Sequence, residues 1–215
     1  MTPDHASDLT ARICAMAPVM PVLVIADAAR AEGLARALVA GGLPALEVTL
    51  RTPAALDAIR EMARVPGGIV GAGTLLTPAD AAAAREAGAT FGVSPGATDR
   101  LLDACEDLDL PLLAGCATPS EAMRLLDRGY TVAKFFPAEI NGGTAALKAL
   151  AGPLPQMRFC PTGGISAATA QGYLALPNVL CVGGSWVAPA GAVAAADWDS
   201  ITRLAATAAA LPRPA

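Results

Sequence analysis

The chain has 215 residues, 54% of them apolar and 16% charged, which is enough for one sizeable core and a single domain spanning 1–215. Aromatic residues make up only 4%, so a stacking platform for single-stranded nucleic acid has little to be built from. A net charge of −4 gives no basic field to draw a duplex or an anionic membrane, so neither nucleic acid nor membrane is expected as a partner.

The stretch from Met1 to Ala15 carries Asp4, His5, Asp8 and Arg12 and lacks the basic start and apolar run of a signal peptide, so a cytoplasmic protein is expected, with 1–7 frayed. Short apolar runs then recur: Val19 to Ile25, Ala45 to Leu50, Ile69 to Gly73, Thr90 to Ser94, Pro111 to Gly115, Thr131 to Phe136, Arg158 to Thr162 and Val179 to Gly183. Their midpoints lie roughly 20 to 27 residues apart, and none approaches the length of a membrane span. Ala-rich segments with charges at helical spacing separate them, among them Ala28 to Val39, Pro53 to Arg64, Pro78 to Ala87 and Pro119 to Asp127. Three of these open on Thr-Pro, at Thr52, Thr77 and Thr118, where Thr suits the cap and Pro the first helical position. After Asp197 a last helix is predicted, and 211–215 is expected to fray. Eight strand–helix units with near-continuous apolar strands predict an α/β protein with a parallel sheet, closed into a compact (β/α)8 TIM barrel with an extra N-terminal helix. A doubly wound open sheet is the structural alternative.

In a barrel, chemistry belongs at the C-terminal ends of the strands. Among the acidic residues only Glu47 lies inside a predicted strand, and of the two lysines, Lys134 and Lys148, only Lys134 does. Burying either charge is costly unless it is paired or neutralised. Lysine can lose its proton and attack a carbonyl as an amine, a role closed to arginine; the structural alternative is a Lys134–Glu47 pair that only fixes the barrel. Period-two alternation puts Glu47, Thr49 and Arg51 on one face and Val132, Lys134 and Phe136 on one face of their own strand, so both ionisable groups can point into one barrel mouth. Thr74, ending the third run, either joins Arg51 in holding a small carboxylate or caps a helix. The seventh and eighth runs end in Thr162-Gly163-Gly164 and Gly183-Gly184-Ser185, whose backbone N–H groups suit a phosphate, with the Ser185 hydroxyl as a further donor.

Other patterns carry less. Five scattered cysteines, Cys14, Cys105, Cys116, Cys160 and Cys181, form no Cys-x-x-Cys pair and suggest neither a disulfide framework nor a zinc site. Gly92-Val93-Ser94-Pro95-Gly96 imitates a nucleophile elbow, but Pro95 lacks the N–H an oxyanion hole needs. Gly71-Ala72-Gly73-Thr74 imitates a dinucleotide fingerprint and lacks its third glycine.

Leu46-Glu47-Val48-Thr49-Leu50-Arg51, Gly71-Ala72-Gly73-Thr74, Ser94-Pro95-Gly96, Lys134-Phe135-Phe136-Pro137-Ala138-Glu139, Phe159-Cys160-Pro161-Thr162-Gly163-Gly164 and Gly183-Gly184-Ser185-Trp186 closely resemble the 2-keto-3-deoxy-6-phosphogluconate aldolase family, over about Val19 to Trp198. The resemblance implies a class I lyase that uses a Schiff base and no metal or other cofactor. Its expected reaction is cleavage of 2-keto-3-deoxy-6-phosphogluconate to pyruvate and glyceraldehyde 3-phosphate in the Entner-Doudoroff route. Activity on 4-hydroxy-2-oxoglutarate and a homotrimeric assembly are further expectations. By resemblance Lys134 is the Schiff-base lysine and Glu47 the acid–base; Arg51 and Thr74 contact the pyruvate carboxylate; Phe136 and Pro95 wall the site; Thr162 touches the substrate hydroxyls; Gly163, Gly164 and Ser185 hold phosphate. Ala114 and Cys116, with Ala97 and Arg100, depart from the family pattern and bear on the choice of aldehyde. The alternatives are a sugar-phosphate isomerase or epimerase, which has no need of a strand-buried lysine, and a non-catalytic phosphometabolite-binding barrel.

Overall fold

In the computed structural model, which describes residues 1–213, each of the eight apolar runs overlaps a strand: β1 Val19–Leu23, β2 Ala45–Thr49, β3 Ile69–Gly73, β4 Phe91–Val93, β5 Leu112–Cys116, β6 Val132–Phe135, β7 Arg158–Pro161 and β8 Val182–Gly184, with β5 and β8 ending one residue past their runs. All pairings are parallel and neighbours in sequence are neighbours in space, from β8 beside β1 round to β6 beside β7. Bridges from Phe159 to Val179 and from Thr162 to Gly183 join β7 to the β8 side. The eight strands therefore form a nearly closed (β/α)8 TIM barrel rather than an open doubly wound sheet.

Alternation along the strands sorts the side chains into two apolar clusters. Leu46, Val48, Ala72, Leu112, Ala114, Ala133, Phe135 and Phe159 face the surrounding helices. Met20, Ala45, Phe91, Val93, Leu113, Val132, Cys160 and Cys181 fill the barrel interior, where Ile13 and Cys14 join them. Those last two come from α1 (Pro3–Ala15), the helix that closes the N-terminal end of the barrel. The expected fraying of residues 1–7 is thereby corrected. Thr2 caps α1 at the His5 N–H, the Met1 ammonium donates to the Glu106 carbonyl at 2.6 Å and pairs with Asp109 at 2.9 Å, and Ser7 Oγ accepts from the Thr131 N–H at 3.0 Å.

The described residues hold nine further α-helices: α2 Ala31–Ala40, α3 Ala55–Met62, α4 Pro78–Glu86, α5 Asp99–Asp107, α6 Pro119–Arg128, α7 Gly143–Ala151, α8 Ala170–Leu174, α9 Ala190–Ala194 and α10 Trp198–Ala209. Thr77 and Thr118 cap α4 and α6 through complete capping boxes with Asp80 and Glu121. Thr52 does not cap: α3 starts later, at Ala55, and the Thr52 hydroxyl donates instead to the Ile25 carbonyl at 2.5 Å. Helix α10 follows Asp197 as expected and lies against α2, where a Cβ on Gly33 or Gly41 would collide with Trp198 or Ala205. Of the tail read as frayed, Arg213 donates to the Ala15 carbonyl at 3.0 Å, while 214–215 lie outside the described residues. Among the described residues no helix is long and apolar enough to cross a membrane.

Candidate active site

Lys134 on β6 and Glu47 on β2 reach towards each other across the barrel and meet at 3.1 Å, with 4% and 1% of their surfaces exposed. Two strands of an eight-stranded barrel that lie four apart are opposite each other, so this contact spans the interior. The space is made by glycine. A Cβ on Gly73 would collide with the Glu47 carboxylate, and one on Gly71 with the Phe91 ring. The Gly-Ala-Gly run of β3 is therefore a recess for the acid and for the ring below it. The Lys134 ammonium also sits 5.2 Å from the centroid of the Phe136 ring, within cation–π range.

Beyond β2 the chain turns outward, and Arg51 Nε donates to Thr74 Oγ1 at 3.2 Å. Thr74 holds φ at 63°, a left-handed conformation that a β-branched residue adopts only where its surroundings impose it. Neither helix α4 nor any other takes Thr74 as its cap, so its hydroxyl serves Arg51. Among the described residues Arg51 makes no ion pair, which leaves its guanidinium available to an anion.

A cavity of about 180 Å³ opens at the C-terminal ends of the strands, lined by Arg51, Phe136, Thr162, Gly163, Gly164, Gly183, Gly184 and Ser185 with Val22, Val24 and Ile165. Gly163 and Gly164 have φ of 104° and 80°, which a residue with a Cβ would resist. Their loop is braced from behind: Ala138 N–H donates to the Thr162 carbonyl at 2.8 Å, Glu139 N–H to the Gly163 carbonyl at 3.1 Å, and the Tyr173 hydroxyl to the Glu139 carboxylate at 2.6 Å. Burial, with the Glu139 carboxylate beside it, pushes the Tyr173 phenol up. Phe136 links the two parts of the site, lining the cavity and standing over the Lys134 ammonium.

This buried amine beside a carboxylate, under a glycine-lined cavity, agrees with what known proteins show. The family model for KDPG and KHG aldolases matches residues 10–204. The chain belongs to that aldolase family. The KHG/KDPG aldolase of Escherichia coli K12 is 56% identical over 189 residues, 87% of this chain and 89% of that protein. The crystal structure of the 2-keto-3-deoxy-6-phosphogluconate aldolase of Zymomonas mobilis ZM4 with 3-phosphoglycerate superposes with a TM-score of 0.90 at 52% identity, covering 94% of this chain and 95% of that one. The KDPG aldolase of Legionella pneumophila, with pyruvate captured as a covalent carbinolamine, superposes with a TM-score of 0.90 at 45% identity, covering 93% and 98% of the two chains.

Several features of this aldolase fold differ from the reading of its sequence. Pro95 is half-buried, and its backbone packs on the inward face of Gly115, the β5 residue paired in register with Lys134. Ala114 and Cys116 face the helices, not the mouth, so they have no direct contact through which to choose an aldehyde. Burial pushes the Cys116 thiol up to about 12. Ser94 is fully buried and accepts from the Gly115 N–H at 3.4 Å, a structural role that disposes of the elbow pattern. The bracing pair Glu139–Tyr173 joins residues 34 positions apart, a distance no local sequence pattern signals. Three of the scattered cysteines, Cys14, Cys160 and Cys181, converge in the barrel interior.

Proposed function

We propose that the chain is a class I aldolase that cleaves 2-keto-3-deoxy-6-phosphogluconate to pyruvate and glyceraldehyde 3-phosphate, and that it also splits 4-hydroxy-2-oxoglutarate to pyruvate and glyoxylate. The single observation that carries the reading is the buried Lys134 amine 3.1 Å from the Glu47 carboxylate at the foot of an open mouth. Lys134 attacks the C2 carbonyl of the keto acid, giving a carbinolamine; loss of water gives an iminium. Glu47 assists both steps by moving protons between the lysine nitrogen and the carbinolamine oxygen. The Glu47 carboxylate then accepts the C4 hydroxyl proton, the C3–C4 bond breaks, and its electrons pass into the iminium to give an enamine. Glyceraldehyde 3-phosphate leaves, C3 is protonated, and water releases pyruvate from Lys134. The electron sink is the protonated imine, so the residues need no bound metal for the cleavage step.

Arg51, positioned by Thr74, is assigned to the substrate carboxylate, the backbone at Gly163 and Gly164 with Ser185 to the phosphate, and Thr162 to the hydroxyls between them. Phe136 and Pro95 are assigned as walls of the site, Phe136 beside the amine and Pro95 on the inward face of β5. The relative captured with pyruvate as a carbinolamine supports the covalent step, and the one crystallised with 3-phosphoglycerate supports a phosphate-bearing ligand. A sugar-phosphate isomerase would leave Lys134 without a role. A homotrimer in the cytoplasm is the proposed setting. The exposed Val24, Leu76 and Ile140, each in a loop after a strand, offer apolar surface for packing between copies.

Borohydride trapping with pyruvate, read by intact mass and peptide mapping, tests this reading. One reduced adduct on Lys134 is expected, together with release of pyruvate from the phosphorylated substrate. A folded protein that gives no adduct overturns it.

A further inference from the structure

Cys14 on α1, Cys160 on β7 and Cys181 just before β8 meet in the barrel interior beside α1, with Cys160 paired in register with Lys134 of β6. Their sulfur atoms all lie within 4.8 Å of one another, and Cys181 Sγ is 3.5 Å from Cys160 Sγ. Each residue is at most 1% exposed, and the cleavage chemistry uses none of them. Ile13, Met20 and Val132 share their cluster, and the Thr162 hydroxyl lies 3.9 Å from the Cys160 sulfur. The other two cysteines, Cys105 and Cys116, lie in the helix-facing layer.

We propose that Cys14, Cys160 and Cys181 form a binding site for a three-coordinate soft metalloid, trivalent arsenic taken up as arsenite. Three observations choose this ligand. Thiol sulfur selects soft ions. No His, Asp or Glu among the described residues joins the three sulfurs, so the fourth donor of a structural zinc site is lacking. Burial of all three sulfurs also penalises an uncompensated net charge. Three thiolates around Zn(II) or Cu(I) leave one or two negative charges in that interior, whereas three around As(III) leave none. The exchange balances without any redox partner: As(OH)3 and three S–H groups give As(SR)3 and three waters. Three As–O and three S–H bonds break, three As–S bonds form, and each thiol proton leaves on a hydroxyl. Cys14 itself stands on α1, which is held to the barrel at Ser7 and Met1, so loosening of α1 is the proposed entry step.

The test is to titrate the folded, reduced protein with sodium arsenite and read it by native mass spectrometry and arsenic-edge X-ray absorption. One arsenic per chain replacing three hydrogens, with three sulfur neighbours and no oxygen, is expected. Cys14→Ala, Cys160→Ala and Cys181→Ala should each weaken binding at least about tenfold, Cys105→Ala should leave it unchanged, and Ser7→Ala should speed loading. Because core variants can unfold, the wild-type absorption spectrum stands as an independent arm. Refusal of arsenite by the folded protein, a two-sulfur one-oxygen shell, a site that takes Cu(I) but not arsenite, or binding that survives all three substitutions would each overturn the proposal.

Discussion

The two halves of the barrel interior are built from the same alternating strands and put to opposite uses. At the C-terminal half the inward positions are Glu47, Lys134 and Thr162, with Arg51 and Thr74 just beyond, and the glycines that face them leave room for charge. At the N-terminal half they are Ala45, Phe91, Val132, Cys160 and Cys181, sealed by Ile13 and Cys14 of α1. The difference teaches that a buried ion pair is tolerated where the strands open towards solvent and ligand, while stability is gathered where the barrel is plugged.

Lys134→Met is expected to have the largest effect. It removes the nucleophile, so cleavage should fall by at least about a thousandfold and the borohydride-trapped adduct should vanish. It also strands the Glu47 carboxylate, at about 3–5 kcal/mol of stability. Adding Glu47→Gln removes the stranded charge, so the double variant should be more stable than Lys134→Met alone in urea unfolding; equal stabilities would show that the two groups are not coupled. At the other end, Phe91→Ala empties a ring-sized space under Gly71 and should lose about 3–5 kcal/mol. The kcat of its folded fraction should hold. A large fall in kcat would break the division between the halves.

How far this division is legible in the sequence depends on which interactions are local. Strand positions, the Thr77 and Thr118 caps and the isolation of Glu47 and Lys134 within apolar runs follow from composition and period-two alternation. Closure brings those two charges together over 87 positions, and alternation alone already aims both inward. The thiol cluster was not legible, because Cys14 enters from a helix outside the strand repeat, and no spacing rule connects it to Cys160 and Cys181. Thr52 departs from its Thr-Pro pattern for a similar reason: its hydroxyl donates to the Ile25 carbonyl, a partner 27 residues away. The inward direction of Gly115 explains why Ala114 and Cys116, on either side of it, face the helices instead of the mouth.

Backbone strain sets a smaller difference between the open mouth and the rest of the barrel. Thr74 at φ 63° and Ala196 at φ 53° are both left-handed, but only Thr74 touches a site residue. Ala196→Gly should gain up to about 1 kcal/mol and leave KM unchanged. Thr74→Gly gains similar relief but loses the hydroxyl that holds Arg51, so stability should change little while KM for pyruvate in the condensation direction rises about tenfold, equivalent to about 1.4 kcal/mol. Steady-state kinetics on the two variants separates strain kept for the site from strain that merely ends a loop.

The smallest effect is expected at the cap of α6, on the open side but away from the ligands. Thr118→Ala removes one half of a capping box and should lower stability by about 1 kcal/mol. The other half titrates. The Ala117 N–H at 2.8 Å, then the Thr118 hydroxyl and N–H, hold the Glu121 carboxyl below its ordinary value of 4.5. A carboxyl whose value is lowered by folding stabilises above its unfolded value, and that contribution fades as pH falls through the folded one. Glu121→Gln should therefore be less stable than wild type at pH 7, by no more than about half a kcal/mol at so exposed a position. The gap should close in acid, below the ordinary carboxylate value. Urea midpoints at pH 7 and in acid measure it; a gap that stays constant across that range would assign the difference to helix propensity rather than to charge.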